Sequence, residues 1–141
     1  MSNISPIDGR YKKNVSELET FFSEQALMRH RVMVEVEYLL ALIEHRSFQK
    51  TRALSKKNLS SLKDLYVDFS ATHFKQIKKI EKKTNHDVNA VVVFVSEKLK
   101  KIGRGDLVPF VHFGLTSEDI NNISYSLMAR GAVEDVMIPS V

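Results

Sequence analysis

Residues 27–43 are the part of this sequence that most limits how the chain can fold, because large apolar side chains crowd this stretch. A helix over these residues is apolar on more than one face and has to be covered on nearly all sides. Three further helices leave part of it bare, so we expect additional protein, from further chain or from partner subunits, to cover the rest. The apolar residues are Leu27, Met28, Val32, Met33, Val34, Val36, Leu39, Leu40, Leu42 and Ile43.

Helical spacing of apolar residues recurs along the whole chain and predicts four long helices. A Ser16-x-x-Glu19 capping box starts the first, over residues 17–45, and the second follows the polar stretch 47–60 and ends near Lys83. The third covers residues 87–102, and Gly103 follows it as a typical residue after a helix end. Its Val-Val-Val-Phe-Val run also suits a buried strand, but the length of the segment favours a helix. The fourth runs from residues 116–119 towards Ile138. Its apolar side is formed by Ile120, Ile123, Leu127, Val133 and Met137. The fold class predicted is all-α.

Composition narrows the function classes. The chain has 141 residues, 43% of them hydrophobic, and no cysteine, which is typical of a folded protein of a reducing compartment, and we expect the cytoplasm. Its apolar runs are far shorter than the roughly 20 residues of a membrane-spanning helix, and no secretory signal is evident. The net charge of +4 comes largely from lysine clusters near predicted helix ends. Because no aromatic residues are interleaved with them, we interpret these clusters as solvated surfaces and expect no nucleic acid partner.

Polar residues suited to chemistry concentrate in three segments at helix starts or in the loops before them. They are residues 5–11 (Ser-Pro-Ile-Asp-Gly-Arg-Tyr), 84–88 (Thr-Asn-His-Asp-Val) and 112–122 (His-Phe-Gly-Leu-Thr-Ser-Glu-Asp-Ile-Asn-Asn). Free N–H groups and the positive end of the dipole make a helix start attractive to anions. Taken singly, each segment also has a structural explanation: a surface arginine beside a turn, an Asn85 or Asp87 cap, and a Thr116-x-x-Asp119 capping box.

Other kinds of site find no support in the sequence. The five histidines lack the i, i+4 pairing and neighbouring carboxylates of a zinc site, so no metal is expected. Gly103-Arg104-Gly105 lacks the Gly-Lys-Ser/Thr ending of a phosphate-binding P-loop. Serine-protease and cysteine-protease arrangements are equally absent from the pattern.

In their order along the chain, the three segments resemble the adenylosuccinate lyase family of the fumarase/aspartase superfamily. The Thr-Ser-x-Asp turn is typical of the superfamily, whereas Asp-Gly-Arg-Tyr and Asn-His-Asp-Val point to the purine enzymes. The resemblance implies β-elimination of fumarate from adenylosuccinate, giving AMP, and from the succinylated aminoimidazole carboxamide ribotide. It implies no cofactor. It also implies a homotetramer whose active sites each draw on three subunits.

The resemblance also assigns roles to residues. Arg10 and Tyr11 would contact the nucleotide, with Arg10 at the phosphate and His112 close by. Asn85, His86 and Asp87 would hold the nucleotide and orient the general acid. Thr116 and Ser117 would hydrogen-bond the succinyl carboxylate. Together these residues would line one wall of a substrate site.

The family's general acid, a histidine, and its general base, a serine on a mobile loop, have no counterpart in this sequence and are expected after Val141. The chain would then be an amino-terminal segment, inactive by itself, with the amino-terminal lyase domain at residues 1–110 and the start of the central helical domain at 111–141. Two alternatives stay open. One is another superfamily lyase, such as argininosuccinate lyase or fumarase, and the other is a non-enzymatic helical module that binds nucleic acid or a partner protein.

Overall fold

The fold is built from helices throughout the described part of the chain, as the apolar spacing predicts. A computed structural model describes residues 5–45, 47 and 54–141. The α-helices are α1 (Glu19–Phe22), α2 (Glu24–Glu44), α3 (Lys56–Val67), α4 (Ala71–Thr84), α5 (Asp87–Lys101) and α6 (Ser117–Ala132). Short 3₁₀ segments cover Pro6–Asp8, Lys12–Leu18, Gly105–Phe110 and Ile138–Ser140. None of the helices in these described ranges is long and apolar enough to cross a membrane.

The first predicted helix is interrupted at Ser23, so the prediction of one helix over residues 17–45 is wrong at its start. Ser23 is extended, and its hydroxyl accepts a hydrogen bond from the N–H of Ala26, which makes it the N-cap of α2. The proposed Ser16 cap is also wrong, because the Ser16 hydroxyl donates to the carbonyl of Lys13 instead. Apolar spacing alone predicts one continuous helix, but a serine that accepts a hydrogen bond from a free N–H group can start a new helix.

The second predicted helix is likewise two helices, α3 and α4, with the break at residues 68–70. Ser70 is extended and forms a capping box with His73, the third residue of α4. The polar stretch predicted over residues 47–60 lies partly outside the described residues, and α3 already starts at Lys56, after the N-cap Ser55. The predicted end near Lys83 is confirmed, since α4 ends at Thr84.

Helix α5 matches its prediction closely. It covers Asp87–Lys101, and Gly103 follows it with φ of 75°, a left-handed conformation that glycine adopts without strain. The ambiguous valine run is helical, with Val91 and Val95 fully buried. Side-chain spacing over the whole segment, rather than the β-branched run, decides the structure.

The main core lies where α2 meets α3, α4 and α5. Successive turns of α2 contribute Met28, Val32, Val36, Leu39 and Ile43, and these pack against Leu62, Leu65, Ile77, Val91, Val95 and Leu99 of the other helices. Helix α6 packs on another side of α2, so this helix is covered from several directions. The prediction of a helix over residues 27–43 is confirmed, whereas the expectation that additional protein covers the rest of it stays a prediction.

Helix α6 differs from its prediction in two respects. The α-helix ends at Ala132 and continues as a π-helical turn, Val133–Met137. Its buried side is formed by Ile120, Ser124, Met128 and Ala132, whereas Ile123 and Met137, expected on that side, are half exposed. The buried face of α6 is therefore narrower than the apolar spacing suggests. The division at residue 110 stays a prediction.

Candidate substrate-binding site

The segment 84–88 forms a tight junction between α4 and α5. Asn85 ends α4 with φ of 51°, a left-handed conformation that asparagine tolerates better than most residues. His86 is the N-cap of α5, and its Nδ1 atom accepts the N–H of Asn89 at 3.2 Å. Asp87 is the first helical residue and accepts its neighbour Val88's N–H at 2.8 Å. Three polar side chains are thereby gathered at the positive end of the α5 dipole.

The segment 112–122 leads into α6 through a loop with two left-handed residues, His112 (φ 61°) and Gly114 (φ 73°). Thr116 is the N-cap of α6, and the predicted capping box with Asp119 is confirmed. The Asp119 carboxylate accepts the Thr116 N–H at 2.7 Å and the Thr116 hydroxyl at 2.9 Å. These hydrogen bonds from Thr116 hold the pKa of Asp119 below its ordinary value. Ser117 follows as the first residue of α6, and no hydrogen bond of its hydroxyl occurs among the described residues.

Arg31 of α2 joins these two helix starts. Its guanidinium is 3% exposed, and Nη1 lies 2.8 Å from Oδ2 of Asp87 at the start of α5. The Nε–H group donates to Oδ1 of Asn121, the fifth residue of α6, at 3.0 Å. The planar fork of arginine suits this double contact, which a lysine cannot reproduce. The starts of α5 and α6 are thus connected through one buried cation.

Two opposing effects set the ionisation of Asp87. Its partial burial by itself raises the pKa, but the hydrogen bond from the N–H of Val88 and the charge of Arg31 outweigh that effect, so the pKa of Asp87 is lowered. Asp87 is therefore an anion at neutral pH, paired with Arg31. A charged pair of this kind fixes the direction in which the carboxylate points.

A small apolar cluster below these contacts brings the two helix starts together. Val34 of α2, Val88 of α5 and Ile120 of α6 are all buried against one another, and Leu115 and Leu127 pack at the margin. Val88 and Ile120 stand in the first turns of their helices. The apolar contact and the contacts of Arg31 therefore hold together the same two helix starts, those of α5 and α6.

Glu35, one turn after Arg31 in α2, reaches the loop before α6. The Glu35 side chain is completely buried, and its Oε1 atom lies 2.6 Å from Nδ1 of His112. Burial raises the pKa of Glu35, and the hydrogen bond and charge of His112 oppose that rise without cancelling it. The second carboxylate oxygen of Glu35 has no hydrogen-bond partner among the described residues. Helix α2 therefore contacts the segment 112–122 through Glu35 as well as through Arg31.

The predicted site residues lie in three parts of the structure. Asn85, His86 and Asp87 lie at the start of α5, beside an open depression that Lys78, Glu81 and Lys82 also line. Thr116 and Ser117 lie at the start of α6, which Arg31 and the small apolar cluster connect to the start of α5. His112 lies in the loop leading to α6. Arg10 and Tyr11 are exposed and contact each other, the guanidinium lying 5.6 Å from the centre of the ring. No hydrogen bond or ion pair of the described residues links this pair to the other segments.

Sequence reasoning missed Arg31 and Glu35. The apolar spacing treats residues 27–43 as an apolar helix, although this stretch also contains four charged residues, Arg29, Arg31, Glu35 and Glu37. A charge in a covered helix is a signal for a paired side chain, because burial of a charge is costly unless it is paired. The sequence does not distinguish the four, and only the fold shows that Arg31 and Glu35 are the buried ones. No group of three or more metal-ligating side chains occurs within residues 5–45, 47 and 54–141.

The chain is similar to known lyases over almost all of its length. A model of the lyase family matches residues 9–141. A protein of Dictyostelium discoideum named adenylosuccinate lyase is 42% identical over the whole chain, and a protein of the same name from Escherichia coli K12 is 41% identical over 99% of it. The protein of that name from Legionella pneumophila strain Corby is 39% identical. The chain spans 31% of the length of each of these relatives.

Proposed function

Because the chain belongs to the lyase family, we propose that it forms part of the substrate-binding wall of an adenylosuccinate lyase. The proposed reaction eliminates fumarate from adenylosuccinate, giving AMP, and from the succinylated aminoimidazole carboxamide ribotide. The name shared by the relatives from Dictyostelium and Escherichia coli supports this substrate over those of other lyases of the superfamily. It also favours an enzyme over a nucleic-acid or interaction module.

The observation that carries the proposal is the pairing of two helix starts on α2. Five of the residues assigned to the substrate, Asn85, His86, Asp87, Thr116 and Ser117, stand at these starts, which Arg31 connects. The substrate carries a phosphate and two carboxylates, and helix starts offer N–H donors and positive dipole ends to such groups. Adjacent starts can therefore engage two anionic groups of one ligand.

The proposed chemistry is an acid–base elimination. A base removes the proton from the carbon next to a carboxylate, and the electron pair is held as a resonance-stabilised dianion of that carboxylate. The C–N bond then breaks, and an acid protonates the departing nitrogen. In this scheme Ser117 and the N–H groups of the α6 start stabilise the developing charge, because donors fixed in advance need no rearrangement during the reaction.

The remaining parts of the mechanism are assigned by resemblance to the family. Arg10 and Tyr11 contact the nucleotide, and His86 and Asp87 orient the general acid. The general acid and general base are supplied by residues other than the described ones, and a homotetramer assembles each site from three subunits. The proposed enzyme uses no cofactor.

Measurement of fumarate release from adenylosuccinate by the complete enzyme tests the proposal. A Ser117→Ala variant is expected to lower kcat/KM by about tenfold to a hundredfold, the loss typical of one hydrogen bond to a charged group. Ser126→Ala is the matched control, because Ser126 lies on the same helix and only donates to the carbonyl of Asn122. An enzyme that releases no fumarate and AMP from adenylosuccinate, or one in which both variants act alike, contradicts the proposal.

A further inference from the structure

The pair Glu35 and His112 stands out because one partner is completely buried. The side chain of Glu35 has no exposed surface, and its described polar contact is the 2.6 Å hydrogen bond with Nδ1 of His112. Its other oxygen has no partner among the described residues. Packing alone favours an apolar residue at this position of α2, since a buried carboxyl group loses its hydration. The carboxyl group therefore needs an explanation beyond the stability of the core.

We infer that Glu35 is the positioning residue for His112: by holding Nδ1, it directs Nε2 towards an oxyanion of the substrate. This inference rests on the proposed function, because the oxyanion belongs to that substrate. The imidazole ring has its two nitrogens on different edges, so a contact at Nδ1 leaves Nε2 available. The His112 side chain is 23% exposed, and Nε2 makes no hydrogen bond among the described residues.

The backbone around His112 supports a role in positioning. His112 has φ of 61°, a conformation that costs a non-glycine residue energy and that persists where surrounding contacts enforce it. Helix α2 supplies two such contacts: Glu35 holds the His112 ring, and the Tyr38 hydroxyl donates to the carbonyl of Phe113 at 2.8 Å. Both contacts come from one turn of α2. The loop is therefore attached to the same rigid helix that carries Arg31.

The proton arrangement of the pair suits an anionic ligand. When the pair holds one proton beyond the neutral imidazole and carboxylate, that proton is located either on the carboxyl group or in an imidazolium ion. Both arrangements leave a hydrogen on Nε2, which can donate to an oxyanion. Burial raises the pKa of Glu35 and favours uptake of this proton. An electrostatic interaction also couples Asp119 to His112.

Two glutamates of α2 allow a matched test in the complete enzyme. Glu35→Gln keeps the shape of the side chain but removes its charge, whereas Glu37→Gln makes the same change two residues later, where Glu37 bonds Tyr66 and Lys63 of α3. Glu35→Gln removes the negative charge beside the ring and is expected to raise KM for adenylosuccinate on the order of tenfold, with a smaller change in kcat. Glu37→Gln is expected to leave both unchanged. Equal effects of the two substitutions overturn the inference.

Product inhibition identifies the oxyanion. If Glu35→Gln weakens inhibition by AMP but not by fumarate, His112 faces the phosphate. If it weakens inhibition by fumarate but not by AMP, His112 faces a carboxylate. Either result supports the inference. Unchanged inhibition by both products overturns it. A Glu35→Gln change made in a His112→Gln background is expected to have no further effect on KM, because Glu35 acts through His112. An additional loss in that background indicates a merely structural role.

A spectroscopic measurement separates this inference from the proposed function. With ¹⁵N-labelled histidine, the wild-type protein and Glu37→Gln are expected to share one pair of His112 ring-nitrogen shifts, and Glu35→Gln is expected to change them. If the wild-type enzyme releases no fumarate, the proposed function fails, and these shifts still decide whether Glu35 fixes the ring. Identical His112 shifts in all three proteins overturn the positioning role even in an active enzyme.

Discussion

The two sides of α2 use charged residues in different ways. On the side facing α5 and α6, Arg31 and Glu35 are buried and contact groups far along the chain, Asp87, Asn121 and His112. On the side facing α3, Glu37 is exposed and bonds the hydroxyl of Tyr66 and the ammonium group of Lys63. One helix therefore carries buried polar contacts and solvent-exposed ones only two residues apart.

Buried and exposed contacts of α2 differ in their free-energy cost and in how firmly they hold the groups that they join. An exposed ion pair contributes little because water screens it and both side chains lose freedom. A buried charge loses hydration, so its partner must be held in a defined place, and loss of that partner is costly. The buried side of α2 thus determines where two helix starts and one loop lie, while the exposed side adds local stability. The candidate site lies on the buried side.

Loss of the partner of Arg31 should have the largest effect on stability. Asp87→Ala leaves the buried guanidinium without its counter-charge and is expected to lower the free energy of unfolding by about 2 kcal/mol, less than for a fully buried pair because the Asp87 side chain is 45% exposed. Glu24→Ala removes an exposed partner of Lys78 from the first turn of α2, the helix that also carries Arg31. This variant is expected to lower the free energy of unfolding by less than about 1 kcal/mol. Chemical denaturation measures both. Equal losses for the two variants would remove the distinction between buried and exposed pairs.

The pH dependence of stability should separate the two glutamates next. Because the pKa of Glu35 is raised above its ordinary value of 4.5, the folded state holds a proton that the unfolded chain releases. The stabilising effect of this proton is complete below pH 4.5 and is lost as the pH rises through the folded-state pKa. The free energy of unfolding then falls by at most about 1.4 kcal/mol per pH unit.

Glu35→Gln should therefore flatten the decline in unfolding free energy above pH 4.5, and Glu37→Gln should leave it as in the wild type. Denaturation curves recorded from pH 4.5 to neutrality provide the measurement. Asp87 works in the opposite direction: its lowered pKa contributes stability above its ordinary value of 3.8, and that stability is lost as the pH falls through the folded-state pKa. Parallel curves for wild type and Glu35→Gln would contradict the assignment.

The same contrast explains how far the sequence alone predicts the structure. Apolar spacing predicts the helix over residues 27–43 and the extent of α5, and the Thr-x-x-Asp pattern predicts the capping box at Thr116, because each depends on neighbours along the chain. The breaks at Ser23 and Ser70 are missed, since serines that cap a helix also occur inside helices. Arg31 and Glu35 are missed for a different reason: their partners lie far along the sequence, and only the fold brings them into contact.

A cap that acts within one helix should have an intermediate effect. Ser23→Ala removes the hydroxyl that accepts the N–H of Ala26 and is expected to lower the free energy of unfolding by about 1 kcal/mol. Ser23→Asn, which also caps, should retain most of that stability. Thermal or chemical unfolding of the two variants gives the answer. A loss from Ser23→Ala as large as that from Asp87→Ala would show that local contacts weigh as much as the buried ones.

The smallest effect on stability is expected on the exposed side of α2, where a local probe still reports the contact. Burial, together with the hydrogen bond to Glu37 and its negative charge, raises the pKa of Tyr66 to about 12. Glu37→Gln removes the charge and should return this pKa towards the ordinary value of 10.0, which the ultraviolet absorbance of the phenolate measures. The free energy of unfolding should change by less than about 1 kcal/mol, because Glu37 is exposed. A large loss of stability would mean that Glu37 has a structural role like that of Glu35, and the two sides of α2 would no longer differ.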